Sequence, residues 1–172
     1  MINRVKHLLP RKTLMLLYYT IIYPYLSYCC VVWGGAPSTS IECIRTLQKR
    51  AVRLVSQAPY RAPSTPLFKK LNLLKFDDIF TFQTLQFVGK IKLNLLPAAC
   101  CSLLYVSNPN KRYNTRSQNY FEIPRSRTTL RQNCISVRGA QQWNALPIAI
   151  QNSLSIKHLN GQLITYLKSF YS

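Results

Sequence analysis

Carboxylates are nearly missing from this sequence. Glu42, Asp77, Asp78 and Glu122 are its four acids, set against 23 lysines and arginines. Two-metal phosphoryl-transfer chemistry needs several convergent carboxylates to hold its cations. Only the adjacent Asp77-Asp78 pair could contribute, so the count argues against an autonomous polymerase or nuclease. Histidine is also scarce, since His7 and His158 stand alone, and no C-x-x-C occurs. A structural zinc site therefore lacks its usual ligand spacing. The cysteines Cys29, Cys30, Cys43, Cys100, Cys101 and Cys134 include two adjacent doublets, unlike the spaced framework of a secreted disulfide domain. They read as small buried or free thiols of a reducing compartment. No metal and no cofactor is expected.

What is present is positive charge. A formal net charge of +19 repels itself unless a polyanion neutralises it, which makes nucleic acid the first partner to consider and an anionic membrane the second. The 172 residues suit one domain, or one domain with an appendage, and 48% hydrophobic residues can bury a core.

Leu14 to Trp33 carries no charge and is long enough to cross a bilayer, with Arg4, Lys6, Arg11 and Lys12 ahead of it. Its content points elsewhere. Tyr18, Tyr19, Tyr23, Tyr25 and Tyr28 lie through its middle, whereas membrane tyrosines gather at interfaces. Pro24 removes the backbone bond to Thr20, so a helix is expected to kink or end there. On a helical wheel Leu14, Leu17, Ile21, Tyr25, Tyr28 and Val32 share one side, which predicts a core helix. A membrane anchor over 14–33 remains the alternative reading.

Gly34-Gly35-Ala36-Pro37-Ser38 breaks that helix. Thr39 has the character of an N-cap, with Glu42 completing a capping box for a helix over about Ser40 to Ala58. Its expected apolar face is Ile41, Ile44, Leu47, Ala51, Leu54, Val55 and Ala58. Arg45, Lys49, Arg50 and Arg53 project oppositely, with only Glu42 to balance them. A linker from Pro59 to Ser64 leads to a short helix begun by Thr65-Pro66 and ending near Leu71. Asp77 or Asp78 is then expected to cap a longer helix to about Leu95, stopped by Pro97.

From Asn108 the composition turns polar and basic. Lys111, Arg112, Arg116, Arg125, Arg127 and Arg131 are spread through it, with Arg138 beyond. Tyr120 to Pro124 and Asn133 to Val137 read as short strands, and Tyr113, Tyr120 and Phe121 as aromatics available to stack on bases. An amphipathic helix from Ile156 to Phe170 closes the chain through Leu159, Leu163, Ile164 and Leu167. The expected class is mainly α. Residues 1–104 form a helical domain, and residues 105–172 a basic extension with short strands and a terminal helix.

Two sets of blocks resemble the region after the palm in jockey-like non-LTR retrotransposon reverse transcriptases. The first is Leu17-Tyr18, Ile22-x-Pro24-x-Leu26-x-Tyr28, Trp33-Gly34 and Leu47-Gln48-Lys49-Arg50-Ala51-Val52-Arg53. The second is Tyr113-x-Thr115-Arg116, Pro124-x-Ser126-Arg127-Thr128 and Trp143-Asn144-x-Leu146-Pro147. The resemblance implies a helical thumb over residues 1–104, whose helices grip primer–template duplex, and the family's C-terminal extension after it. The family's polymerase signature is an aromatic, any residue and two aspartates. Here Phe76 directly precedes Asp77-Asp78, downstream of the thumb blocks, so the pair departs from that pattern.

The resemblance thus implies a fragment of an RNA-directed DNA polymerase without its palm, retaining at most sequence-tolerant binding, with a non-functional relic as a further alternative. Arg45, Lys49, Arg50, Arg53, Lys111, Arg112, Arg116, Arg125, Arg127 and Arg131 are the expected phosphate contacts. RNA or an RNA–DNA duplex is the expected partner, beside the missing remainder of the polymerase. The parent element implies a nuclear or cytoplasmic location.

Overall fold

The computed structural model describes residues 7–106 and 120–171, and the chain is mainly helical, as its periodicity predicts. It divides into two compact units. One runs up to Phe80 and takes in the tail from Phe170; the other is Thr81–Ser169.

In the first unit, α1 (Arg11–Leu17) passes into a π turn (Tyr18–Ile22) and then α2 (Tyr23–Ser27). The wider turn accommodates Pro24, which has no N–H to return to Thr20, and the chain stays helical to Ser27. The wheel is corrected here. Leu14, Tyr18, Leu26 and Cys30 are buried, whereas Tyr25 and Val32 are 80% and 84% exposed, and Ile21 and Tyr28 are exposed too. Residues four apart gain about 40° on a helix of 3.6 residues per turn. The slower-winding π turn returns that drift, so a row spaced by four keeps facing the core from Leu14 through Tyr18 to Leu26.

The chain leaves the helix at Tyr28, whose carbonyl accepts the Trp33 indole N–H at 2.8 Å. Cys29 adopts a left-handed φ of 48° before α3 (Cys30–Trp33). Trp33 stacks on Phe76 with centroids 5.4 Å apart. Gly34 follows because nothing larger fits: a Cβ would lie 2.5 Å from both the Cys30 carbonyl oxygen and the Phe80 ring. Among the described residues, no helix is long and apolar enough to cross a membrane, so the anchor reading of 14–33 finds no support.

Helix α4 (Ser38–Val55) starts earlier than the capping box implied. Pro37 is its N-cap without a side-chain bond, and Glu42 turns to Arg45 and Lys49 instead. Its buried residues are Ile41, Gln48, Ala51, Val52 and Val55, while Leu47 is exposed. The helix is rotated from the expected face because Gln48, 2% exposed, serves three polar groups inside. Its Nε2 donates to Tyr18 Oη at 3.1 Å and to the Leu74 carbonyl at 3.0 Å, and its Oε1 accepts from Phe76 N–H at 2.8 Å. Burial pushes the Tyr18 phenol up to about 12, against a smaller lowering by that amide.

Pro63, not Thr65, is the N-cap of α5 (Ser64–Leu71), which ends on Asn72 at φ 56°. Helix α6 (Phe76–Lys92) begins before Asp77 and Asp78, so these acids lie inside its first turn. Two apolar clusters hold the unit. Leu14, Tyr18, Val52, Val55, Phe68 and Leu71 belong to one, and Leu26, Ile41, Phe76 and Ile79 to the other.

The second unit takes α6 from Thr81, α7 (Ala98–Cys101), α8 (Thr129–Gln132), α9 (Ile135–Asn144), α10 (Ile148–Gln151) and α11 (Ile156–Ser169). The strand expected at Asn133–Val137 is instead the entry to α9. Ile135 and Val137 are β-branched, but Val137, Ala140 and Trp143 recur every third residue and are buried together. Among the described residues, Tyr120 to Pro124 contributes only an isolated antiparallel bridge, from Phe121 to Val106. Leu159, Leu163 and Leu167 are buried, as the terminal amphipathic pattern requires.

Asn144 closes α9 by gripping Phe121. Its Nδ2 donates to the Phe121 carbonyl at 2.8 Å and its Oδ1 accepts the Phe121 N–H at 3.1 Å. Trp143 meets Phe121 edge-on at 6.2 Å. Lys92 donates to the Gln151 carbonyl, with its ammonium 4.7 Å from the Tyr120 ring centroid.

Candidate nucleic-acid interface

The four cations assigned to α4 do not form one open row. Arg45 is held by acids on two helices. Its Nε and Nη2 fork onto Asp77 at 3.0 and 2.8 Å, while Nη1 donates to Glu42 at 3.1 Å. These bonds, Asp77 first, hold the guanidinium firmly charged, and Arg45 in turn lowers the Glu42 carboxyl. Lys49 Nζ lies 3.5 Å from Glu42. Arg53 Nε donates to the Ala62 carbonyl at 2.8 Å, tying the linker to the end of α4. Arg50 is exposed and has no ion pair among the described residues.

The expected contacts farther along fall differently. Lys111, Arg112, Arg116 and the aromatic Tyr113 lie outside the described residues. Arg125 and Arg127 are exposed on irregular chain, and Arg131 is exposed on α8, which Thr128 caps through the Arg131 N–H. Two aromatics expected to stack on bases serve packing instead. Phe121 is fully buried, and Tyr120 meets it edge-on at 4.7 Å while carrying Lys92 on its face.

The Asp77-Asp78 pair is divided between two structural tasks. Asp77 takes the Arg45 fork, and Asp78 accepts from the Tyr171 hydroxyl. Tyr171 also accepts the Lys75 backbone N–H at 2.8 Å, and the Lys75 ammonium sits 4.8 Å from its ring centroid. Burial raises the Asp78 carboxyl above its ordinary range, with the Tyr171 bond opposing, and burial also raises the Tyr171 phenol. Among the described residues, no group of three or more His, Cys, Asp or Glu is placed to hold a metal ion.

Sequence patterning missed Arg61, Lys69 and Lys70, which are exposed in the linker and on α5. Its signal was available: no acid occurs between Glu42 and Asp77, although that stretch is rich in Lys and Arg. Many residues of the blocks that carry the family resemblance serve the interior. Tyr18, Leu26, Gly34, Gln48, Val52, Trp143 and Leu146 are all buried.

No protein-family model matches this chain, and no solved structure matches it. Over 96 residues it is 27% identical to a Drosophila melanogaster protein described as "Probable RNA-directed DNA polymerase from transposon BS". That stretch is 52% of this chain and 11% of the relative, so the chain spans a small part of the relative's length. The sequence is therefore related to a retrotransposon reverse transcriptase, distantly and over part of its length.

Proposed function

We propose that the chain is the thumb and C-terminal extension of a jockey-like non-LTR retrotransposon reverse transcriptase. In this reading it lacks the palm active site and retains sequence-tolerant binding of RNA or RNA–DNA duplex through phosphate contacts. The observation that carries the reading is the similarity to a transposon RNA-directed DNA polymerase. The net charge of +19 supports a polyanionic partner. Engagement of Asp77 by Arg45 and of Asp78 by Tyr171 supports structural roles for these acids. The remainder of such a polymerase is the second partner the reading implies.

Phosphate contacts fix a duplex without reading its bases, so affinity should vary little among sequences and fall steeply with salt. Fluorescence anisotropy against three unrelated RNA–DNA hybrids of equal length is the test. Similar Kd values with a common salt slope are expected. Failure to bind at low salt, or preference for one sequence by more than tenfold, overturns the binding reading. Metal-dependent primer extension by the purified chain overturns the absence of a palm.

A further inference from the structure

Within the first unit, charge is segregated by end. The cluster of Leu26, Ile41, Phe76 and Ile79 is flanked in sequence by every acid of this unit: Glu42 adjoins Ile41, and Asp77 and Asp78 lie between Phe76 and Ile79. Each of these acids has a partner, as described above.

The other cluster, of Leu14, Tyr18, Ala51, Val52, Val55, Phe68 and Leu71, has the opposite surroundings. Arg11 and Lys12 precede Leu14 by less than a helical turn, Arg50 adjoins Ala51, and Lys69 and Lys70 separate Phe68 from Leu71. Arg61 is brought there by the bond from Arg53 to the neighbouring Ala62. These six cations are exposed, and among the described residues none has an ion pair. Four separate segments thus deliver cations around one apolar cluster, with no acid among them.

Helix capping accounts for only part of this. Lys69 and Lys70 occupy the last turn of α5, where a cation offsets the negative end of the helix dipole. The C-terminal ends of α4 and α5 supply about half a negative charge each, roughly one in total. That leaves most of the six cations without compensation. Arg11 and Lys12 lie in the first turn of α1, where the dipole is positive and cations are disfavoured. Folding alone gives no reason for them there.

We propose that this acid-free end of the first unit is the phosphate-binding surface, through Arg11, Lys12, Arg50, Arg61, Lys69 and Lys70. It displaces Arg45, Lys49 and Arg53, which the fold has already engaged, from the contact surface. The inference rests on the nucleic-acid reading above and assigns the duplex backbone to one end of one unit.

The test uses the full chain and an RNA–DNA hybrid duplex, with log K measured against log salt. Replacing Arg50, Arg61, Lys69 and Lys70 by Gln should lower the slope by about one unit for each phosphate no longer neutralised, roughly three to four in all. Replacing Arg125, Arg127 and Arg131 by Gln is the competing arm. A slope lowered by that arm, and unchanged in the quadruple variant, overturns this surface and leaves the nucleic-acid reading standing. A wild-type chain that fails to bind the duplex brings down that reading, and this inference with it.

Phosphatidylserine vesicles form a third arm. Loss of vesicle binding in the quadruple variant, with duplex binding intact, assigns the surface to membrane and overturns the proposal. Should the quadruple variant not fold, amine acetylation of the wild type decides. The duplex should protect Lys12, Lys69 and Lys70 while Lys157 and Lys168 react as before; equal reactivity with and without duplex overturns the proposal.

Discussion

Gln48 in the first unit and Asn144 in the second perform the same task on different backbones. Each is an amide that holds a stretch of irregular chain by its peptide groups, Leu74 to Phe76 in one case and Phe121 in the other. They differ in depth. Gln48 is sealed in mid-helix among apolar neighbours and also bonds a buried phenol, whereas Asn144 stands half-exposed at the end of α9. A buried amide cannot be replaced by water, so its loss strands several polar groups at once. A half-exposed amide can be partly replaced, and it acts more as a clamp on register.

The largest expected effect tests that contrast. Gln48→Leu leaves the Phe76 N–H, the Leu74 carbonyl and the Tyr18 hydroxyl without their partner and should cost about 3 kcal/mol or more. Asn144→Ala should cost about 1–2 kcal/mol. Urea denaturation of both variants measures the difference, and equal losses would break the comparison.

The glycines give a second contrast of similar kind. At Gly34 an added Cβ meets a backbone carbonyl and an aromatic ring, whereas at Gly89 it meets mainly the Leu159 Cδ2, at 2.3 Å. Gly34→Ala should cost about 2–3 kcal/mol, and Gly89→Ala less, because a leucine tip can move where a carbonyl cannot. Thermal melts of the two variants report this ordering.

A smaller effect concerns pH. The Asp78 carboxyl is raised in the folded chain, so between its ordinary value and its folded value the native state binds more protons than the unfolded one. The Asp78 contribution therefore falls as pH rises through that window. Glu42 is lowered, and its contribution is lost in the opposite direction, as pH falls through its folded value. Asp78→Asn should remove the first trend and leave the second, which denaturation midpoints across a pH series will show. The smallest expected change is a gain. Gly161 lies within α11 in open space, where an added Cβ would meet nothing within 4 Å. Gly161→Ala should therefore stabilise by about 0.5–1 kcal/mol in the same melts.

Much of the helical order was readable because the apolar positions of α6 and α11 repeat at helical spacing and proline or glycine punctuates between them. The rotation of α4 was not readable. A wheel ranks Leu47 above Gln48 as a core residue, and only the tertiary placement of Tyr18, Leu74 and Phe76 makes the amide the better occupant. Helix starts were missed for a local reason, since Pro37 and Pro63 occupy N-cap positions where hydroxyl residues nearby are better suited by type. The basic character of Arg45, Lys49 and Arg53 was plain from their spacing. Their partners were not, because Asp77 and Ala62 reach them only through the fold. Phe121 looked available for stacking because its burial depends on Trp143 and Asn144, more than twenty residues away in the chain.

The π turn at Tyr18–Ile22 lets the length of this segment change without turning its inner face. Five residues wound as a π turn sweep about the same angle as four wound as an α-helix, so deleting one residue there would restore an ordinary α-helix and leave everything downstream facing as it does now. Leu26 would stay inside and Tyr25 outside, with the chain shorter by one residue and no substitution needed. In relatives of this chain, a one-residue gap at that point would mark loss of the wide turn with the inner face kept, and side-by-side residue identities beyond the gap would compare positions that still correspond.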